Sequence, residues 1–288
     1  AWLYSLGRPI DEGCSEELKQ ELQRVQNKMS AFYNSFKIAK VDLTDHCVFD
    51  LIPHDFLLEF CDVKNKLTEH VFQSCGRPKN YDHLDAVQKL LHKIKYQDLN
   101  LNGEGCRNMF TSTANRTKMK ALLNNYRSID YNLFGTVTGR LTTTKSSFPI
   151  LTVKKEYRKL LKPINDLFIS FDYNGAEIRT LLELCGHSQP KEDIHQWNIV
   201  NIKTPHGRDI KVDRRRALNY LIQSTTSDRV LGKAVLLDQM LEGKKSFISH
   251  IVHDEIVIDY SSEEKDLLPE LKEAFEDSYL ANTSVGKI

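Results

Sequence analysis

The sequence predicts an α+β fold: a mainly helical N-terminal region, followed by an antiparallel β-sheet flanked by helices. Three observations carry this. Up to about residue 95, apolar side chains recur every three or four positions, the helical period. Leu167-Phe168-Ile169-Ser170-Phe171 is a short apolar run closed by the turn pair Asn174-Gly175, so a buried strand ends there. Finally, Phe247 to Tyr260 sets two β-branched apolar arms around His253, Asp254 and Glu255, the pattern of a hairpin with a polar tip.

Taken in order, a first helix is expected from Ser15, a natural N-cap, to about residue 40, with Leu18, Leu22, Val25, Met29 and Phe32 forming a coiled-coil-like seam. A second is expected over Asp55 to Gln73 and is broken by Gly76-Arg77-Pro78. A third runs from Asp82 to about Lys95 on Leu84, Val87, Leu91 and Ile94, and Asn100 to Gly105 reads as a loop. These stripes are packing surfaces before they are binding devices. Arg116, Lys118, Lys120 and Arg127 then lie among polar residues and Tyr126, a strip that suits a solvated helix face and phosphate contact equally well.

Tyr131 to Thr144 follows, with Gly135 and Gly139 and a dense threonine run around Arg140. Small residues let backbone and hydroxyls approach a ligand closely, although a plain threonine-rich hairpin has the same composition. Lys154, Lys155, Arg158, Lys159 and Lys162 form the densest basic cluster, just before the strand that ends at Asp172. The helix beyond Gly175 is expected to bury Ile178, Leu181, Leu182 and Cys185. Alone, this is an ordinary strand–turn–helix; its Asp172, Glu177 and Arg179 also suit metal chemistry. A long helix from Arg214 to about Met240 places Arg215, Asn219, Gln223 and Ser227 on one stripe, with Leu218, Leu221 and Ile222 turned away. Such a stripe faces solvent, or reads acceptors in a nucleic-acid groove. A closing amphipathic helix is expected over Glu263 to Tyr279.

The chain has 288 residues, 40% of them hydrophobic, enough for one large domain or two. No run is long and apolar enough to cross a bilayer, Ala1-Trp2-Leu3-Tyr4 lacks the layout of a signal peptide, and the absent initiator methionine reads as a processed chain or a fragment. Cys14, Cys47, Cys61, Cys75, Cys106 and Cys185 form no C-x-x-C pair, so neither a zinc site nor a disulfide framework is indicated and a reducing compartment is the default. A net charge of +1 makes no global case for a polyanionic partner, so any basic surface must be local. Two acid-bearing β elements could bring Asp172 and Asp254 onto neighbouring strands, a cradle for two divalent ions about 4 Å apart. A solvated turn is the commoner use of such a tip.

Four motifs in order, Thr138-Gly139-Arg140-Leu141, Asp172-Tyr173-x-x-x-Glu177-Ile178-Arg179, Arg215-x-x-x-Asn219-x-x-x-Gln223 and His253-Asp254-Glu255, resemble the signature of family A DNA polymerases, the DNA polymerase I type. The resemblance covers roughly Tyr131 to Glu276. It implies a polymerase palm over 131–201 and 202–288, with 1–130 as a helical, thumb-like region. It implies Mg²⁺-dependent, template-directed addition of deoxynucleotides to a primer 3′-hydroxyl. Asp172, Asp254 and the backbone carbonyl of Tyr173 would hold two Mg²⁺ ions, for which Mn²⁺ could substitute. Glu255 would stand beside the metals in the catalytic group. Glu177 would be the steric gate against ribonucleotides. Arg140, Asn219 and Gln223 would track the primer-template minor groove, Arg179 and Arg215 would support that surface or the acidic cluster, and His253 would lie at the primer end. The implied partners are primer-template DNA and deoxynucleoside triphosphates, with no membrane, and the implied location is intracellular, in a bacterial or phage-infected cytoplasm or an organelle matrix.

The resemblance has a gap. The family's fingers, whose O helix binds the triphosphate through a Lys-x-x-x-Asn-x-Gly-x-x-Tyr-Gly pattern, would lie between Asp193-Ile194-His195 and Asn219, and no such pattern occurs there. Either residues are omitted at the abrupt Asn201-Ile202 junction, the favoured reading, or the chain lacks fingers. Exonuclease acids are not recognisable upstream. The alternative function is a non-catalytic module that holds primer-template DNA.

Overall fold

The computed structural model describes residues 1–43, 45–103, 112–189 and 217–286. The chain divides into two compact units, Ala1–Tyr81 and Asp82–Ile288.

The first unit is a pair of packed helices, α1 (Glu16–Ile38) and α2 (His54–Ser74). Ser15 caps α1 by accepting a hydrogen bond from the Leu18 amide at 3.3 Å. Leu22 and Val25 of the predicted seam are buried with Phe56, Val63 and Leu67 of α2, while Leu18, Met29 and Phe32 pack around them. Arg24 and Lys28 both reach Glu59 across the pair, a partly exposed contact worth little in water.

In the second unit, α3 (Tyr81–Lys95) buries Leu84, Val87, Leu90, Leu91 and Ile94, and α4 (Thr113–Asn125) buries Met119 and Leu122. A small antiparallel pair follows, β1 (Tyr131–Asn132) with β2 (Thr142–Thr143), and then a single helical turn, α5 (Lys155–Arg158). The main sheet is built from β3 (Leu167–Tyr173), β4 (Phe247–Val252), β5 (Glu255–Tyr260) and β6 (Ala281–Gly286) in the order β4-β5-β3-β6, every pair antiparallel. Helices α6 (Ala176–Leu184), α7 (Ala217–Met240) and α8 (Leu267–Glu276) complete the unit.

The strand period of two sorts the sheet into faces. Phe171 and Tyr173 turn toward α8 and stack on Phe275, with ring centroids 5.3 and 4.3 Å apart. The opposite face carries Phe168, Ser170 and Asp172. A β-bulge in β4 decides which face the rest of that strand joins. Ile248 pairs with Ile258, Ser249 is the extra residue, and His250 pairs with Val257, so His250 lands on the Asp172 face.

β4 is an edge strand, and side chains cover its outer side. Gln97 donates to the Ile248 carbonyl at 3.1 Å, and the buried Tyr131 hydroxyl donates to the Ile251 carbonyl at 2.6 Å while accepting from the Ile251 amide at 3.0 Å. At the far end of the sheet, the buried Asp259 carboxylate accepts from the backbone amides of Ile164 and Asn165 and anchors the entry to β3.

Two expectations need correction, and one strand lies beyond them. α6 buries Ala176, Arg179, Thr180 and Leu182, leaving Ile178, Leu181 and Cys185 half-buried, because α7 docks through a Thr226–Thr180 hydroxyl pair at 2.9 Å. The closing helix is shorter than Glu263 to Tyr279. Glu264 instead accepts from the amides of Lys245 and Ser246, and the helix stops where Asp277 takes a φ of 41°. Finally, the polar run Ala281-Asn282-Thr283-Ser284 forms β6, a strand that its composition does not announce.

Cys14, Cys47, Cys61, Cys75 and Cys185 are free thiols; Cys106 lies outside the described residues. Among the described residues no helix is long and apolar enough to cross a membrane.

Candidate functional site

The acids meet because of sheet register. β3 pairs with β5 so that Asp172 stands opposite Glu255, and Val252 pairs with Glu255 on the other side, leaving His253-Asp254 as a two-residue turn. His253 has a φ of 57°, a left-handed conformation that costs a non-glycine residue about 1–3 kcal/mol and holds the exposed imidazole at the tip. Asn282 of β6 stands on the other side of Asp172. No local pattern in the sequence marks it.

Asp172 is half-buried, and its carboxyl is pushed up to about 6, first by burial and then by the negative charges of Asp254 and Glu255. Among the described residues none of the three acids is ion-paired. Hard carboxylate oxygens under mutual repulsion are the donor set that a divalent cation relieves, so these residues fit Mg²⁺ chemically. They do not form a closed cage: among the described residues no three His, Cys, Asp or Glu side chains converge tightly enough to hold a metal ion. A cation here would complete its shell with water and phosphate oxygens, as Mg²⁺ does. The Tyr173 side chain points away, its hydroxyl donating to the Phe275 carbonyl at 2.8 Å and pushed up to about 12 by burial, so only its backbone remains near the acids.

Beside the acids lies an open cleft of about 260 Å³, lined by Arg140, Glu177, Thr226, Ser227, His253 and Asp254 among others. Arg140 is presented by a pinned loop, in which the Gly139 amide donates to the Thr136 carbonyl and the Thr136 hydroxyl to the Arg140 carbonyl. Gly135 is required there, since a Cβ at that position would come within 1.8 Å of the Thr142 hydroxyl oxygen. Glu177 is held in the first turn of α6 by Gly175, whose φ of 65° reverses the chain. Arg140 and Glu177, both half-exposed, form an ion pair across the cleft. Ser227, the last residue of the polar stripe expected on α7, lines the cleft, and so does Thr226, which no motif in the sequence singles out.

The remaining candidates are placed less favourably or lie elsewhere. Arg179 is fully buried, and its Nε donates to the Asn174 carbonyl at 2.6 Å, so it braces the turn after Asp172 and does not stand on a surface. On α7, Asn219 is exposed and Gln223 half-buried, and neither lines the cleft. Arg215, the Asp193-Ile194-His195 motif and the Asn201-Ile202 junction lie outside the described residues.

These features define a mixed helical and antiparallel-sheet fold. Among solved structures the chain is similar to the POL domain of Pol1 from M. smegmatis, solved in complex with DNA primer-template and dNTP. The TM-score is 0.58 at 14% identity, over 81% of this chain and 75% of that one. At this identity the likeness is one of fold. No protein-family model matches the chain, and no curated protein matches it in sequence.

Proposed function

We propose that the chain is the palm and helical portion of a family A DNA polymerase, adding deoxynucleotides to a primer 3′-hydroxyl under template direction. The observation that carries this reading is the register that sets Asp172 opposite Glu255 and one residue from Asp254, on a fold shared with a polymerase domain. Mg²⁺, with Mn²⁺ able to stand in, would be held by Asp172, Asp254 and the Tyr173 carbonyl. When bound it would supply charge stabilisation for phosphoryl transfer.

The chain's own groups do the rest. Asp172 and Asp254 would hold the cation whose charge offsets the repulsion of the phosphates, and His253 stands at the turn where the primer end would lie. Glu177 occupies the position that excludes a ribose 2′-hydroxyl, and its release from Arg140 frees the guanidinium for the minor groove, where acceptors are nearly the same in every base pair. Asn219 and Gln223, with Arg215, would extend that contact.

The test is primer extension with and without Mg²⁺. Asp254→Asn should abolish incorporation while leaving DNA affinity within about threefold; incorporation that persists would remove the site assignment. One observation favours the rival reading of a non-catalytic primer-template holder, namely the ion pair spanning the cleft. Such a holder would bind duplex equally well in Mg²⁺ or in chelator and extend nothing.

A further inference from the structure

Glu255, Asp172 and Asn282 form one row across three strands. The register pairs Asp172 with Glu255 of β5 on one side and with Asn282 of β6 on the other, and directly paired residues point to the same face of a sheet. Two positions along, the paired Ser170 and Ser284 line a single cavity, which fixes the face that Asn282 shares with Asp172. The β6 end of the row is firmly placed. The Asn174 amide donates to the Leu280 carbonyl at 3.1 Å, Ala281 is buried, and its amide donates to the Glu276 carboxylate at 3.4 Å, so the chain enters β6 already in register. Asn282 itself is exposed, and among the described residues its side chain has no hydrogen-bond partner.

Strands disfavour asparagine, and no side-chain contact among the described residues uses this one. Its position has a chemical use. Opposed residues of an antiparallel pair have Cβ atoms about 5 Å apart, so a carboxamide oxygen here and the Asp172 carboxylate can close on one ion between them. Asp254 and Glu255 lie on the other side of Asp172, and the acids alone make no closed cage among the described residues. Hard cations accept uncharged carbonyl oxygens beside carboxylates. A neutral donor also suits this flank, since a further carboxylate would add repulsion to a group that already has two negative neighbours.

We propose that the Asn282 carboxamide oxygen is a further ligand of the divalent cation at Asp172, approaching it from β6 while Asp254 approaches from the hairpin turn. The inference rests on the reading above, in which Asp172 and Asp254 hold that cation.

Metal binding by the full chain tests this without any turnover. Mn²⁺ is titrated into the protein and the free ion is read by electron paramagnetic resonance; in parallel, urea unfolding is followed in chelator and in Mg²⁺. Asn282→Val, which suits an edge strand and offers no oxygen, should weaken Mn²⁺ binding about tenfold, the low end of what losing a group around a metal costs, because water can replace a neutral ligand. It should unfold with wild type or later in chelator, and gain less from Mg²⁺. Asn282→Asp should bind Mn²⁺ more tightly, since the ion gains a charged ligand at nearly the same reach. Ser284→Ala, on the same strand and face, should bind as wild type does. Unchanged Mn²⁺ affinity in Asn282→Val would overturn the proposal. So would an Asn282→Asp variant that binds no more tightly, or a loss in Ser284→Ala equal to that in Asn282→Val, which would belong to the strand and not to a ligand. Destabilisation of Asn282→Val by the same amount in chelator and in Mg²⁺ would overturn it too, because the asparagine would then serve the fold. A wild type that binds no Mn²⁺, or keeps its full affinity after Asp172→Asn, would overturn the cation reading of the acids; a loss with Asp172→Asn and none with Asn282→Val would overturn only the role of Asn282.

Discussion

Replacing Asp172 by Asn should stabilise the metal-free protein at pH 7. In the folded chain the carboxyl titrates at about 6 against an ordinary value of 3.8. At 1.36 kcal/mol per pKa unit, its ionisation opposes folding by at most about 3 kcal/mol. Solvent screening around a half-buried group reduces this to about 1–2 kcal/mol. Because the folded value is the higher one, the folded state binds the proton more tightly. Wild-type stability should therefore fall as pH rises from about 4 to 6 and be level above that range. Asn is isosteric and cannot ionise, so its advantage should be full at pH 7 and fade by pH 4. Urea unfolding in chelator at several pH values reads this directly. Adding Mg²⁺ should then stabilise wild type and leave Asp172→Asn unmoved, because only the carboxylate pair gains a counter-charge. An Asn variant that is less stable at pH 7, or whose difference from wild type is the same at every pH, would refute the account of the acidic cluster.

Other substitutions separate the site from its scaffold. Glu177→Ala should relax discrimination against ribonucleotides in single-nucleotide incorporation assays, yet change stability by less than about 1 kcal/mol, since the Arg140 ion pair is half-exposed; unchanged selectivity would remove the steric-gate role. Gly135→Ala should cost about 1–3 kcal/mol in urea unfolding, because its methyl group collides with Thr142, and shortening Thr142 to Gly in the same chain should recover part of the loss. Tyr131→Phe should cost a similar amount, about 1–3 kcal/mol, by leaving the Ile251 amide and carbonyl without their buried partner; a loss below about 0.5 kcal/mol would mean that water takes the hydroxyl's place.

The elements that can be read from sequence are those whose signals are local. Ser15 caps, Asn174-Gly175 turns and the two arms of the hairpin alternate within a few residues of one another, so the strand ending near Asp172 and the tip at His253-Asp254 are legible. β6 is not, because Ala281 to Gly286 has little strand character of its own and pairs only because β3 offers an open edge. The bulge at Ser249 leaves no mark in a run of apolar residues, although it decides the face of His250. Arg179 misleads for the opposite reason. A charged residue in a first helical turn is expected to point outward, and here the backbone carbonyl of Asn174 and the packing of α7 draw it inside. In the candidate site, the order of the motifs suggests its acids. Ser227 is legible as the end of a polar stripe, but the pairing of Arg140 with Glu177, and the presence of Thr226 beside them, depend on how distant segments close, which no spacing rule encodes.

The covering of β4 bears on how this protein avoids sticking to itself. Phe247 to Val252 is an apolar stretch at the rim of a sheet, the kind of segment onto which another chain can add a strand. Tyr131 stands where such an intruder would pair: one phenolic oxygen serves the amide and the carbonyl of Ile251, while Gln97 engages the carbonyl of Ile248. Two side chains from outside the sheet thus act as a substitute strand. Their loss would show as growing aggregates in light scattering before it showed in any assay of the acidic site.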